Sequence, residues 1–126
     1  YLRYMQLDAQ ANPVVTQNLG IPGLLRAPRL VTAAGNNLHL FWSSRTPGVR
    51  DWTLWHARLD ANGELGSTTL QISLTGSNVG NYAVASDHHG GAVICWDSGV
   101  PGDIYLQHID QSGELIGEIN SKKQLF

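Results

Sequence analysis

The feature that most constrains the fold of this 126-residue chain is an internal repeat. Residues 38–65 read LHLFWSSRTPGVRDWTLWHARLDANGEL, and residues 92–115 read AVICWDSGVPGDIYLQHIDQSGEL. Trp42 returns as Trp96, 54 positions later, whereas the part of the unit after the loop returns 50 positions later. The difference falls in a polar loop, where a repeat tolerates changes of length. The pattern predicts a repeat-built architecture.

Each copy contains four short segments with the character of β-strands. The runs LHLFW and AVICW are almost wholly apolar, which is typical of strands covered on both faces. A strand and a tight turn precede each run, and a loop, another strand, a four-residue turn and an outer strand follow it. The predicted strands are 28–32, 38–42, 53–59 and 68–73 in one copy, and 82–86, 92–96, 104–109 and 115–119 in the other.

The front of the chain is an incomplete copy of the same unit. Residues 1–8, YLRYMQLD, align with LWHARLD and IYLQHID, and therefore predict a strand that belongs to the middle of a unit. A further strand is predicted at 14–19. The segment IPGLLRAP is interpreted as a connector, because its two prolines disfavour a central strand.

These units predict an all-β fold. Four antiparallel strands in roughly 50 residues are typical of a β-propeller blade, and the repeat favours this architecture over a β-sandwich, which is the alternative. We expect one repeat domain, residues 1–126, with a partial blade at 1–27 and blades at 28–81 and 82–126. This is an incomplete ring, so we expect the chain to be a fragment of a longer protein.

Composition excludes several classes of partner. The net charge is −2 and the eight Lys and Arg residues are scattered, so no basic surface for nucleic acid or an anionic membrane is predicted. No apolar run approaches the ~18 residues of a membrane span. The single Cys95 excludes an internal disulfide, and its apolar neighbours predict a small buried side chain.

The second copy resembles the TolB-like and related bacterial propeller repeats. The match is carried by Asp103, Ile104 and Tyr105 on a strand and by Asp110 and Gly113 in the following turn, and the resemblance extends over residues 28–115. It implies a propeller fold and an extracytoplasmic location, either periplasmic, cell-surface or secreted. Functions in that group range from protein docking to accessory domains of peptidases.

The loop that is longer in one copy carries the candidate binding residues. Trp52 lies there with Arg45, Arg50 and Asp51. Exposed aromatic and arginine side chains dominate binding energies at interfaces, so these four residues are predicted to contact a protein or glycan ligand. Trp42 and Trp96, in contrast, recur at equivalent positions and are predicted to be buried between units.

No catalytic residue or cofactor is predicted. Asp60 and Asp110 recur at the same turn, where an aspartate bonds the backbone, and the five histidines lack the spacing of a zinc site. Asp97 and Asp103 flank a Pro-Gly loop and are the only candidates for a cation site, although six to eight oxygen ligands for calcium are not apparent.

Three functional hypotheses remain open at this point. The first is a non-catalytic binding module of a secreted or membrane-tethered bacterial protein, which self-associates through exposed blade edges or packs on neighbouring blades. The second is part of a carbohydrate-active propeller, either sialidase-like, glycosidase-like or a lectin, against which stands the absence of the Ser-x-Asp-x-Gly-x-x-Trp motif. The third is the soluble part of a membrane enzyme whose catalytic segment lies elsewhere.

Overall fold

The computed structural model of the chain describes residues 1–98 and 102–123, and these residues form ten β-strands and no helix. In chain order the strands are β1 (Arg3–Leu7), β2 (Pro13–Asn18), β3 (Leu24–Thr32), β4 (Leu38–Arg45), β5 (Thr53–Leu59), β6 (Leu65–Gln71), β7 (Tyr82–Ser86), β8 (Ala92–Asp97), β9 (Ile104–Ile109) and β10 (Leu115–Lys123). The predicted bounds of β5, β7 and β9 are confirmed, whereas β6 begins at Leu65 rather than at residue 68.

The strands form three antiparallel sheets, and within each sheet consecutive strands pair. We name them the hairpin (β1–β2), the middle sheet (β3-β4-β5-β6) and the last sheet (β7-β8-β9-β10). The array is open. The predicted all-β class and its four-stranded antiparallel units are therefore confirmed, and such sheets occur in both blades and sandwiches.

Strand pairing repeats along with the sequence. Trp42 on β4 lies opposite Trp55 on β5, and Trp96 on β8 lies opposite Tyr105 on β9. The rings of Trp96 and Tyr105 stack with centroids 5.6 Å apart. The middle and last sheets are thus two copies of one structural unit, in the same register.

Two separate hydrophobic cores hold the sheets together. Neighbouring residues of a strand point to opposite faces, so Phe41 and Trp42 enter different cores. Trp42 packs between the middle sheet and the hairpin, whereas Phe41 packs with Trp96 between the middle and last sheets. Trp42 and Trp96 are 2% and 1% exposed. The prediction that both are buried between units is confirmed, and each faces the preceding unit.

The repeated turns share one hydrogen-bonding pattern. The Oδ1 atom of the turn aspartate accepts from the backbone N–H groups two and four residues later, at distances of 2.8–3.0 Å, in the turns that begin at Asp8, Asp60 and Asp110. The structural interpretation of these acids is confirmed. Because Asp8 shares the pattern, β1 is the third strand of its unit, equivalent to β5 and β9.

The segment IPGLLRAP is more structured than predicted. β3 begins at Leu24, and its register against β4 shifts between Arg26 and Arg29. Ala27 takes a positive φ of 53° within this irregularity, and its carbonyl accepts a hydrogen bond from the hydroxyl of Tyr82 on β7. The prediction of a connector was wrong because β3 is an edge strand, where a bulge accommodates a proline.

Candidate functional site

Trp52 is held at the margin between the middle and last sheets. Its side chain is half-buried and packs against the core that these sheets share. Its backbone N–H donates to Oδ1 of Asn78 at 2.9 Å, and its carbonyl accepts from the N–H of Val79 at 3.0 Å. The segment that connects β6 to β7 thus fixes the position of this loop tryptophan.

Two guanidinium groups surround the Trp52 ring. Cζ of Arg26 lies 3.9 Å from a ring centroid of the indole, and Cζ of Arg45 lies 5.1 Å from it. Both distances are within the range of a cation–π interaction. We call Arg26, Arg45 and Trp52 the arginine–tryptophan cluster.

Neither arginine of the cluster forms an ion pair with an acid within residues 1–98 and 102–123. Arg26 donates to the carbonyls of Val79 and Gly80, at 2.8 and 3.3 Å. Burial, followed by the nearby charge of Arg45, lowers the pKa of Arg26, although an arginine remains protonated in proteins. The ion pair between His108 and Asp87 lies elsewhere, on β9 and in the turn between β7 and β8.

Arg45 has an unused hydrogen-bonding group. Its Nε atom is buried and has no acceptor among the described residues. A buried donor without a partner costs about 1–3 kcal/mol. An acceptor from a ligand would remove that cost, and an anionic acceptor would also balance the two positive charges.

A groove runs beside the cluster. It has a volume of about 440 Å³ and lies between the segment 20–23 and the start of the β4–β5 loop. Trp55 and Trp42 line it, together with the hydroxyl-bearing Ser44 and Thr46. Arg45 belongs both to this groove and to the cluster. Trp42 and Trp55 of the groove pack on the hairpin side of the middle sheet, whereas Trp52 packs on the side of the last sheet.

The structure brings together two of the four predicted binding residues. Trp52 and Arg45 lie together, whereas Arg50 is exposed and Asp51 is half-buried, and neither has a hydrogen bond or ion pair to the cluster in the described part of the chain. Arg26 was missed. It lies in the segment interpreted as a connector, and nothing in the spacing of the sequence indicates that the bulge of β3 brings it to the β4–β5 loop.

The candidate cation site is only partly described. Oδ2 of Asp97 accepts from the backbone N–H of Asn81 at 3.3 Å, and the backbone carbonyl of Asp103 accepts from Ser98 at 3.1 Å. Residues 99–101 between them lie outside the described ranges. Within those ranges no group of three or more His, Cys, Asp or Glu side chains is placed to hold a metal ion.

Two histidines that are remote in sequence meet between the sheets. His39 Nδ1 and His56 Nε2 are 2.9 Å apart, and His39 Nε2 lies 2.7 Å from the carbonyl oxygen of Gly90. Because a carbonyl oxygen only accepts, Nε2 of His39 donates to Gly90, and one of the two facing ring nitrogens of His39 and His56 donates to the other. Burial, then the neighbouring His39 and Arg58, lowers the pKa of His56 to about 3.

A further histidine, His108, pairs with an acid, Asp87, nearer the surface. His108 Nε2 lies 2.7 Å from Oδ2 of Asp87, whose Oδ1 accepts from the N–H groups of His89 and Gly91. The hydrogen bond from His108, followed by the one from His89, lowers the pKa of Asp87 to about 2. Asp87 therefore holds a turn, and within the described residues the hydrogen bond of the His108 ring is to this carboxylate.

Comparison with protein-family models, with curated proteins and with solved structures finds no match for this chain. The resemblance to propeller repeats thus has no independent support from a relative. The described residues also include no helix that is long and apolar enough to span a membrane.

Proposed function

We propose that this chain is a non-catalytic binding module, and that its arginine–tryptophan cluster binds the acidic group of a glycan. The observation that carries the proposal is the uncompensated charge of Arg26 and Arg45 around Trp52, with one buried donor of Arg45 unused. Arginine matches the planar geometry of a carboxylate, and similarly recognises sulfate and phosphate oxygens.

The adjacent groove supports a sugar as the rest of the ligand. Trp55 supplies an aromatic surface, and Ser44 and Thr46 supply hydroxyl groups that donate and accept hydrogen bonds. Pockets that recognise small ligands combine apolar walls with a few polar groups in this way. An acidic sugar would place its charged group at Arg45 and its ring in the groove.

The arrangement of the sheets supports a wider proposal about the parent molecule. Two equivalent sheets stack in the same order, each with its tryptophan towards the preceding unit. We propose that they are consecutive blades of a propeller in a larger, extracytoplasmic protein. Loops at one end of such an array are common positions for binding residues, because the sheets hold them rigidly.

The binding proposal is tested by titrating the chain with acidic and neutral oligosaccharides of equal length. Calorimetry should detect a 1:1 complex with oligogalacturonate and none with the neutral sugar. Replacing Arg45 with Gln should weaken binding about tenfold or more, because a hydrogen bond to a charged group contributes roughly 1.5–3 kcal/mol. Arg3→Gln is the matched control, since Arg3 is exposed and lies over Tyr1 on the hairpin.

Three outcomes would contradict all or part of the proposal. Equal binding by the wild type and the Arg45→Gln variant would remove the cluster from the site. Binding of a glutamate-rich peptide that depends on Arg45, with no binding of any acidic sugar, would identify a protein partner in place of the glycan. Hydrolysis of the oligosaccharide during the titration would contradict the non-catalytic part of the proposal.

A further inference from the structure

A polar groove lies between the middle and last sheets, where the two four-stranded units meet. Its volume is about 460 Å³, which is within the range of about 300–1,000 Å³ for small-molecule pockets. Residues of β5 and β6 line one side, and the turn between β9 and β10 lines the other. The groove shares no residue with the arginine–tryptophan cluster or with the groove beside that cluster. Its polar side chains are His56, Arg58, Ser67, Thr68, Ser112 and Glu114.

The turn between β9 and β10 fixes one side of this groove. Oδ1 of Asp110 accepts from the N–H of Glu114 at 3.0 Å, and Gly113 has a φ of 89°. A Cβ on Gly113 would lie 2.7 Å from Cε1 and 3.5 Å from Nδ1 of His56. The glycine therefore lets the turn pack directly on this edge of the imidazole, and the backbone of Glu114 is held next to it.

Arg58 brings an unused hydrogen-bond donor to the groove. Its Nε atom is buried and has no acceptor among the described residues. Glu64 and Glu114 each line a groove together with Arg58, but neither forms an ion pair with it in the described part of the chain. A buried donor without a partner is costly, and a guanidinium matches the geometry of a carboxylate. Arg58 therefore favours a ligand that carries a carboxylate.

Glu114 and His56 favour a second, donating group on the same ligand. The side chain of Glu114 is exposed and lines the groove. Nδ1 of His56 lies outside the contact with His39 and hydrogen-bonds a ligand in either tautomer. An ammonium group donates three hydrogen bonds, and its charge is complementary to that of Glu114. A ligand with an ammonium group beside a carboxylate thus fits both sides of the groove.

The equivalent position between the hairpin and the middle sheet lacks these groups. Tyr4 and Gln6 take the places of His56 and Arg58 in the repeat. A Cβ on Gly63 would strike the ring of Tyr4, so this ring fills the space next to the turn. The combination of a guanidinium, an imidazole and a carboxylate thus belongs to the junction of the middle and last sheets.

We propose that this groove binds a free aliphatic α-amino acid. The carboxylate of the ligand accepts from Arg58, its ammonium group donates to Glu114, and its side chain packs on Leu70 and Leu115, which are half-buried. Glu114 repels a ligand that is only an anion, and Arg58 repels one that is only a cation, so the two charges select a zwitterion. The site does not depend on the function proposed for the arginine–tryptophan cluster.

Calorimetry with L-leucine tests this proposal. The folded chain should form a saturable 1:1 complex with L-leucine. Leucinamide, which lacks the carboxylate, should bind about tenfold more weakly or worse, because hydrogen bonds between charged groups are strong. 4-Methylpentanoate, which lacks the ammonium group, should bind about threefold more weakly or worse, because it loses the attraction of an exposed carboxylate.

Two variants locate the site. Arg58→Gln should weaken leucine binding about tenfold, and Glu114→Gln about threefold, since solvent screens its charge. The Glu114→Gln variant should also bind 4-methylpentanoate at least as tightly as the wild type does, because the repulsion of the ligand carboxylate is removed. Arg3→Gln and Asp51→Asn change charges outside the groove and should bind leucine like the wild type. Circular dichroism confirms that each variant is folded.

The outcomes separate this site from the glycan site. Weaker leucine binding by the Arg58→Gln and Glu114→Gln variants, with normal binding by both controls, supports the proposal. If Arg58→Gln does not fold, the exposed Glu114→Gln variant and the two leucine analogues still decide. No saturable binding of leucine by the wild type, binding that neither site variant changes, or equal binding of leucine and 4-methylpentanoate would overturn it. Dependence of oligogalacturonate binding on Arg45 tests the glycan proposal independently.

Discussion

Ala11 occupies a backbone position that the other units give to glycine. Its φ is 64°, and the equivalent Gly63 and Gly113 have φ values of 76° and 89°. A residue with a Cβ pays about 1–2 kcal/mol in this region, whereas glycine adopts it readily. Replacing Ala11 with Gly should therefore stabilise the chain by about 0.5–1 kcal/mol, after the larger entropy that glycine loses on folding. Urea denaturation measures the difference.

The reverse change at an equivalent turn is the matched control. A Cβ on Gly113 would lie 2.7 Å from Cε1 of His56, in addition to its positive φ. A Cβ on Gly63 would similarly strike Tyr4, the counterpart of His56 in the hairpin. Gly113→Ala should destabilise the chain by more than Ala11→Gly stabilises it. A destabilising Ala11→Gly change would show that this turn does not share the repeated geometry.

The low pKa of the buried His56 should make the folded chain less stable on mild acidification. The unfolded chain takes up a proton at His56 near pH 6.5, whereas the folded chain, with a pKa of about 3, does not. The free energy of unfolding should therefore fall by about 1.4 kcal/mol for each pH unit below 6.5. Replacing His56 with Leu, the residue at the equivalent position 106, should flatten this dependence between about pH 6 and pH 4.5.

The exposed His88 provides the control for this titration. It lies in the turn between β7 and β8, away from the His39–His56 contact. A His88→Gln variant should retain the pH dependence of the wild type. If the His56→Leu variant and the wild type lose stability in parallel on acidification, the proposed protonation of His56 is wrong.

At the scale of the element, the packing of β8 into the core depends on the side chain of Trp96. The side chain is 1% exposed and stacks on Tyr105 of β9. Trp96→Ala should lower the free energy of unfolding by about 3–5 kcal/mol, because the cavity adds to the lost burial. Val93→Ala, at a site that is 37% exposed on the opposite face, should cost much less. A melting temperature close to that of the wild type for Trp96→Ala would place this side chain outside the core.

The strands that the sequence could predict are those whose side chains repeat. β5, β7 and β9 have the predicted bounds because each carries a periodic set of apolar residues between turn residues. β3 could not be predicted in full. Its first half contains a proline and a bulge, and the pairing with β4 that stabilises it is a tertiary contact.

The candidate site was predictable only where its residues lie on one loop. Trp52 and Arg45 flank the extra segment, and Cζ of Arg45 lies 5.1 Å from a ring centroid of Trp52. Arg26 reaches Trp52 from β3, and His39 reaches His56 across the ladder of β4 and β5. These contacts depend on strand register and on the bulge, which residue spacing alone does not specify.

At the scale of the whole molecule, apolar side chains are exposed at both ends of the described array. Met5 and Leu7 on the hairpin are 46% and 51% exposed, although Leu59, equivalent to Leu7, is buried at 1%. On the last sheet Val93 is 37% exposed, and the neighbouring Cys95 is half-exposed rather than buried as predicted. Uncovered edges and apolar faces promote association.

We therefore predict that the isolated chain forms a dimer or a higher ring through its first and last strands. Contacts between unlike ends are heterologous, and they close into a ring when the rotation permits. Sedimentation equilibrium across a range of concentrations should show a mass that increases with concentration, and Leu7→Lys should reduce this association. A single monomeric species at all concentrations would contradict the prediction.

The middle and last sheets are equivalent units stacked in one direction, with two separate cores. Nuclear Overhauser contacts of the tryptophan side chains test this most directly. We predict contacts from the Trp42 indole to Leu2 or Leu19 of the first 19 residues, and from the Trp96 indole to Phe41 or Leu54 of the middle sheet. Contacts from both indoles to one shared set of side chains would show a single sandwich core and contradict this arrangement of two cores.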